Sequence, residues 1–69
     1  MPDAETYKHI EITGTSPESI SAAMRSGIDK ASQTVRHLDW LEITRMSAQV
    51  KDGSIEHFQV SMKVGFRLE

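Results

Sequence analysis

The 69-residue sequence contains no cysteine, which excludes disulfide cross-links and thiolate metal sites. Its three histidines, His9, His37 and His57, are isolated and show none of the i, i+3 or i, i+4 spacing of ligand pairs. A metal cluster is therefore not expected. Apolar runs are short: nowhere do 18 apolar residues follow one another, so no membrane span is expected. The segment Met1-Pro2-Asp3-Ala4-Glu5 is polar and acidic, with neither the basic nor the apolar stretch of a secretory leader. A cytoplasmic protein is the expectation. Charge of one sign is lacking too, since 8 basic and 10 acidic residues mix along the chain for a net −2. Non-specific nucleic-acid binding needs a positive field, and none is offered here. There is no glycine-rich phosphate loop followed by lysine, no dinucleotide fingerprint and no nucleophile elbow, and an enzyme is not expected.

A single domain of this length buries only roughly 60% of the surface of its unfolded chain. Without disulfides or metal, self-association is the remaining way to stabilise it, so an oligomer is predicted. Residues 1–6 read as a loose tail and residues 7–69 as one domain.

Aromatic residues are scarce, and the one tryptophan is oddly placed. In Trp40-Leu41-Glu42-Ile43-Thr44 apolar and polar residues alternate, as in a strand with one buried face. Trp40 shares its parity with Glu42 and Thr44, so its indole points away from the core that Leu41 and Ile43 build. Such an indole either meets a partner or flat ligand, or is half-covered by neighbouring strands.

Alternation from Tyr7 to Thr13 gives a first strand, with Lys8, Ile10 and Ile12 on one face. Gly14 permits a turn, Ser16 suits an N-cap, Pro17 the first helical position and Glu18 the positive end of the helix dipole. The turn at Gly14-Thr15-Ser16 could present N–H groups to a phosphate, but capping is the simpler use. A helix is predicted from about Pro17 to about Thr34, because Ile20, Met24, Gly27, Ile28, Ala31 and Val35 form an apolar stripe. Gly27 within that stripe points to close approach of helix and sheet.

The second strand begins near Trp40 and changes phase. Leu41 and Ile43 are odd-numbered, Met46, Ala48 and Val50 even-numbered, so a bulge is predicted between Thr44 and Ser47. Asp52-Gly53 is a turn. Beyond it, Phe58, Val60, Met62, Val64, Phe66 and Leu68 share one face of a strand of about 14 residues, near 45 Å if straight. Such a strand must curve or reach into neighbours. Pairing across the turn sets Leu41 opposite Val64, Ile43 opposite Met62, Glu42 opposite Lys63 and Trp40 over Gly65. The fold class is α+β: β-α-β-β, an antiparallel three-stranded sheet with one helix on one face. Glu11 and Glu42 could form a carboxylate pair, but nothing in the sequence brings them together.

A binding constellation remains. Trp40 offers a stacking surface and Gln59 a donor and an acceptor for the edge of a heterocycle. Arg67 and Arg45 suit a phosphate. Trp40 and Gln59 lie about 20 Å apart along the sheet in this register. If both serve one ligand, the site lies between subunits.

Three blocks carry a resemblance to a known family. They are Tyr7-Lys8-His9-Ile10-Glu11-Ile12 with Gly14-Thr15-Ser16, then Thr34 to Glu42 around His37-Leu38-Asp39-Trp40, and Phe58-Gln59-Val60 running to Val64-Gly65-Phe66-Arg67-Leu68-Glu69. Together they resemble the dodecins, a family of small flavin-binding proteins, over nearly the whole chain. The resemblance implies a hollow homododecamer with a curved sheet partly wrapping its helix. It implies flavin storage or sequestration, with flavins such as FMN, riboflavin, FAD or lumichrome stacked between symmetry-related tryptophans. Carried over, Trp40 stacks, Gln59 meets the pyrimidine edge of the isoalloxazine, Asp39 lines the pocket and Arg67 lies near the ribityl or phosphate end. Coenzyme A is a second expected ligand near the three-fold axes, where Lys8 and Lys30 match basic positions. The sequence departs at Ser47-Ala48, where bacterial relatives usually carry Arg-Gly and the arginine helps hold the FMN phosphate or ribityl region. Arg45, two residues earlier, would substitute only if the bulge is suitably placed. Ser32 stands where some relatives have a basic residue. Two other readings remain: a structural oligomer in which Trp40 only seals an interface, and a flavoenzyme.

Overall fold

The computed structural model describes residues 5–68. Four elements follow one another: β1 (Tyr7–Ser16), α1 (Ile20–Ala31), β2 (Leu38–Lys51) and β3 (Ser54–Arg67). The strands form one antiparallel sheet in the order β1-β3-β2, and the helix packs on β1 and β3. This is the β-α-β-β arrangement expected from the residue pattern. The predicted tail falls mostly on residues 1–4, outside the described residues. The Thr6 carbonyl already accepts a bond from the Leu68 N–H at 3.0 Å.

The β2–β3 register is the predicted one, with Trp40 opposite Gly65, Leu41 opposite Val64, Glu42 opposite Lys63 and Ile43 opposite Met62. Asp52 and Gly53, at φ 51 and 78, make the turn. The expected phase change is a bulge at Thr44, between the Ile43 and Arg45 pairs. Two further register shifts lie between Leu38 and Trp40 and between Gln49 and Val50.

The helix differs from expectation at both ends. β1 continues to Ser16, which pairs with Phe58, so Gly14 lies within the strand rather than in a turn. The Ser16 hydroxyl accepts from the Glu18 N–H at 3.0 Å in a local turn, and the N-cap is Ser19. Ser19 is extended and its hydroxyl accepts from Ala22 N–H at 3.0 Å. Pro17 and Glu18 therefore precede the helix. At the other end Ser32 caps α1, and Gln33 and Thr34 close a tighter turn on Lys30 and Ala31.

Gly14 and Gly27 explain how helix and sheet meet. A Cβ on Gly14 would collide with the Ala23 carbonyl and lie 2.9 Å from Gly27 N. A Cβ on Gly27 would lie 2.8 Å from Met62 Cε and 3.3 Å from Gly14 Cα. The two glycines let backbone approach backbone, as the apolar stripe suggested. Around that contact Ala23, Val60, Met62 and Val64 form the buried core, with Ile10, Ile12, Ile20, Met24, Ile28, Leu38 and Leu41 packed against it.

A twelve-residue helix is about 18 Å long, whereas each strand of the long hairpin has 14 residues, about 46 Å. The molecule spans 57 × 21 × 14 Å. The helix therefore covers only part of the hairpin. Met46, Val50 and Ile55 are 60%, 67% and 55% exposed, and Ile43, expected in the core, is 39% exposed. The parity of Ile43, Met46 and Val50 is as read, and the shift between Gln49 and Val50 sets Ile55 opposite Val50, but no element reaches over them.

Candidate functional site

The face of the sheet away from the helix is polar except at one end. There the extra residue Asp39, between the Leu38–Phe66 and Trp40–Gly65 pairs, resets the register. Trp40 is 43% exposed and its indole lies flat on Gly65. A Cβ on Gly65 would collide with Cε2, Cζ2 and Nε1 of the ring. A glycine is thus required beneath the tryptophan, whose other ring face is left open. On the other side of the sheet, next to α1, Asp39 and Trp40 also border an open cleft of about 340 Å³ with Ile28, Leu38, Leu41 and Val64.

Tyr7 and Arg67 pair at the same end of the sheet. The Tyr7 hydroxyl donates to Glu5 Oε1 at 3.1 Å. Hydrogen bonds first to Glu5 and then to Asp39 favour the protonated phenol and hold its pKa above the ordinary tyrosine value. Sequence reasoning did not connect Tyr7 with Asp39. The link runs across β3, and only the full strand order supplies it.

Gln59 is half-buried and pairs with Ser47 on β2 and Thr15 on β1. Its Nε2 donates to the Ser47 hydroxyl at 3.0 Å. Six residues of β3 separate Gln59 from Gly65, about 20 Å of strand. Within one protomer, no small ring touches both Trp40 and Gln59. The Thr44 bulge sets Arg45 opposite Ser61, on the same face as Ser47 and Gln59. The single Thr44 O–H is shared between Glu11 Oε2 and the Ser61 carbonyl, both 3.1 Å away, and Thr13 and Ser61 hydroxyls bond at 2.9 Å. These bonds tie all three strands across the polar face.

Lys8 and Lys30 do not share a site within the protomer. Lys30 lines grooves with Thr13, Gly27 and Gln33, whereas Lys8 lies opposite Phe66 at the start of β1. Glu11 and Glu42, which nothing in the sequence brought together, fall in one row, both opposite Lys63. A lysine between two carboxylates reads as surface charge balance rather than an acid–base pair. Among the described residues no group of three or more candidate metal ligands converges, and no helix is long and apolar enough to cross a membrane.

Comparison with known proteins identifies the family and agrees with the fold. The family model for Dodecin matches residues 6–69. The curated dodecin of Thermus thermophilus is 38% identical over 65 residues, covering 94% of both chains. The structure of the dodecin from Streptomyces davaonensis superposes with a TM-score of 0.94 at 51% identity, covering 97% of this chain and 98% of that one. The dodecin from Streptomyces coelicolor gives a TM-score of 0.91 at 48% identity, covering 94% and 93%. With its fold and nearly its whole length matched, this chain belongs to the dodecin family.

Proposed function

We propose that this protein binds flavins for storage or sequestration and catalyses no turnover. FMN, riboflavin or a related flavin such as FAD or lumichrome would stack between symmetry-related copies of Trp40 at the interfaces of a homododecamer. The observation that carries this reading is Trp40 itself. Its indole rests on Gly65 with one face open, where a core aromatic would be covered. The residues fit the group: a flat aromatic platform, the carboxylate of the adjoining Asp39, and a carboxamide at Gln59. The long separation of Trp40 from Gln59 supports a site completed by a second subunit, with Gln59 of one copy meeting the edge of a ring stacked on Trp40 of another. Arg67 and Arg45 are the cations offered to the ribityl or phosphate end.

A bound flavin absorbs visible light and would supply a photo-excitable ring in contact with the indole. Trp40 at contact distance donates an electron rapidly, which quenches emission and suppresses photochemistry. Sequestration is then also protection. Coenzyme A is the second ligand proposed, with Lys30 and Lys8 of neighbouring copies as the basic groups.

Titration of FMN and of riboflavin with the purified protein tests the reading. Strong quenching that saturates near one flavin per subunit is expected. Full fluorescence of both flavins at saturating protein overturns it. Sedimentation at micromolar concentration is expected to give a dodecamer, and a stable monomer overturns the assembly.

A further inference from the structure

We infer that Ser47 is a positioning residue for ligand recognition, because its hydroxyl holds the Gln59 carboxamide in place on the sheet; this rests on the flavin-binding reading. Gln59 has a long, freely rotating side chain, and a carboxamide has two N–H donors and one carbonyl acceptor. Here Nε2 donates one hydrogen to Ser47 Oγ at 3.0 Å. The carboxamide keeps a second N–H donor and its carbonyl acceptor. That is the complement of an imide edge, in which a ring N–H stands next to a carbonyl.

The arrangement depends on two features of the chain. The bulge at Thr44 brings odd-numbered β2 residues onto the polar face, which puts Ser47 directly opposite Gln59. Both residues are half-buried, so water competes less with the bond than on an open surface. Ordering the carboxamide before the ligand arrives removes an entropy cost from binding. Ser47 needs no contact with the ligand to have this effect. A long cationic side chain at this position could serve a phosphate but could not accept a hydrogen bond from Gln59, since arginine has no acceptor. The serine thus exchanges a direct ligand contact for control of the glutamine.

The test is riboflavin affinity, read by fluorescence quenching, with sedimentation run on every variant. Ser47→Ala is expected to weaken binding about three- to tenfold with assembly intact. Ser47→Thr, which keeps the hydroxyl, is expected to bind within about twofold of the parent protein. In a Gln59→Ala background, Ser47→Ala is expected to cost nothing further. Unchanged affinity in Ser47→Ala overturns the inference, as does an equal loss in the Gln59→Ala background or a loss of assembly. Parent protein that leaves riboflavin fluorescence untouched overturns the flavin reading and this inference with it. Parent protein that quenches while Ser47→Ala matches it overturns the inference alone.

Discussion

The indole of Trp40 lies flat on the backbone of Gly65, its partner across the β2–β3 register. A tryptophan and a glycine directly opposite each other solve a steric problem. The ring can lie down on the sheet only where the facing residue has no side chain. The fold thereby presents one flat aromatic face to solvent or to a second subunit.

Gly65→Ala is accordingly expected to lift the indole. Its Cβ would collide with Cε2, Cζ2 and Nε1 of the ring. The cost to stability is about 1–3 kcal/mol, within the range for overpacking. Flavin affinity should fall at least about tenfold, because a tilted ring no longer offers a stacking face. Tryptophan emission and flavin titration of the variant check this, and unaltered affinity contradicts the geometry.

Gly14 and Gly27 face each other, yet their substitutions should differ. A Cβ at Gly14 meets the Ala23 carbonyl, which is helix backbone and cannot move alone. Gly14→Ala should therefore destabilise by about 3 kcal/mol. At Gly27 the nearest obstacle is Met62 Cε at 2.8 Å, the end of a flexible side chain. Alanine also regains about 1 kcal/mol of helix propensity there. Gly27→Ala should cost about 1 kcal/mol or less, and denaturant melts of the two variants should rank them in that order.

The contrast shows what the residue pattern could carry. Counting outward from the Asp52-Gly53 turn reaches the Trp40–Gly65 pair only because two shifts offset each other. The parity switch from Ile43 to Met46 marked the Thr44 bulge, whereas the residue pattern did not announce the shift between Gln49 and Val50. The turn and the parity switch are local signals. The helix start was less legible, because Ser16 and Ser19 are both competent caps and Ser16 was claimed by the strand. Exposure of Met46 and Val50 was not legible at all, since it depends on how far α1 reaches along the hairpin. The Trp40–Gly65 pair followed from register, whereas Tyr7 with Asp39 needed the order β1-β3-β2.

Tyr7 is the single tyrosine of the chain, so its ionisation can be followed directly. Hydrogen bonds to Glu5 and then Asp39 favour the neutral phenol and raise its pKa. A raised folded-state pKa means that the stabilising contribution is complete below the unfolded value, about 10. It is lost as pH climbs through the folded value. Ultraviolet titration should place the tyrosinate midpoint above that of a free tyrosine. Asp39→Asn should move it back down in part, with Glu5 still attached.

Met46, Val50 and Ile55 leave an apolar strip on the part of the hairpin beyond the helix. In the proposed dodecamer this strip is covered by neighbouring copies. Val50→Lys and Ile55→Lys should then release smaller species in sedimentation, because lysine at a dry contact leaves a charge without a partner. The same changes on a solvent-exposed strand would alter stability by only about 0.5 kcal/mol. An intact dodecamer in both variants would mean that the strip faces water in the assembly.

If the proposed site holds flavins, Arg45 is expected to discriminate phosphorylated from unphosphorylated ones. The Thr44 bulge turns it onto the face that carries Ser47 and Gln59, and it stands opposite the short side chain of Ser61. An arginine there has space to swing and a planar fork suited to a phosphate. A charge-assisted bond of this kind is worth about 1.5–3 kcal/mol, roughly ten- to hundredfold in affinity. Arg45→Ala should weaken FMN by that factor and leave riboflavin within about twofold. Raised salt should erode the FMN advantage of the parent protein and leave riboflavin unaffected, because screening acts on the phosphate alone. Equal losses for both ligands would assign Arg45 to assembly instead. Parallel titrations of the two flavins, at low and high ionic strength, separate these outcomes.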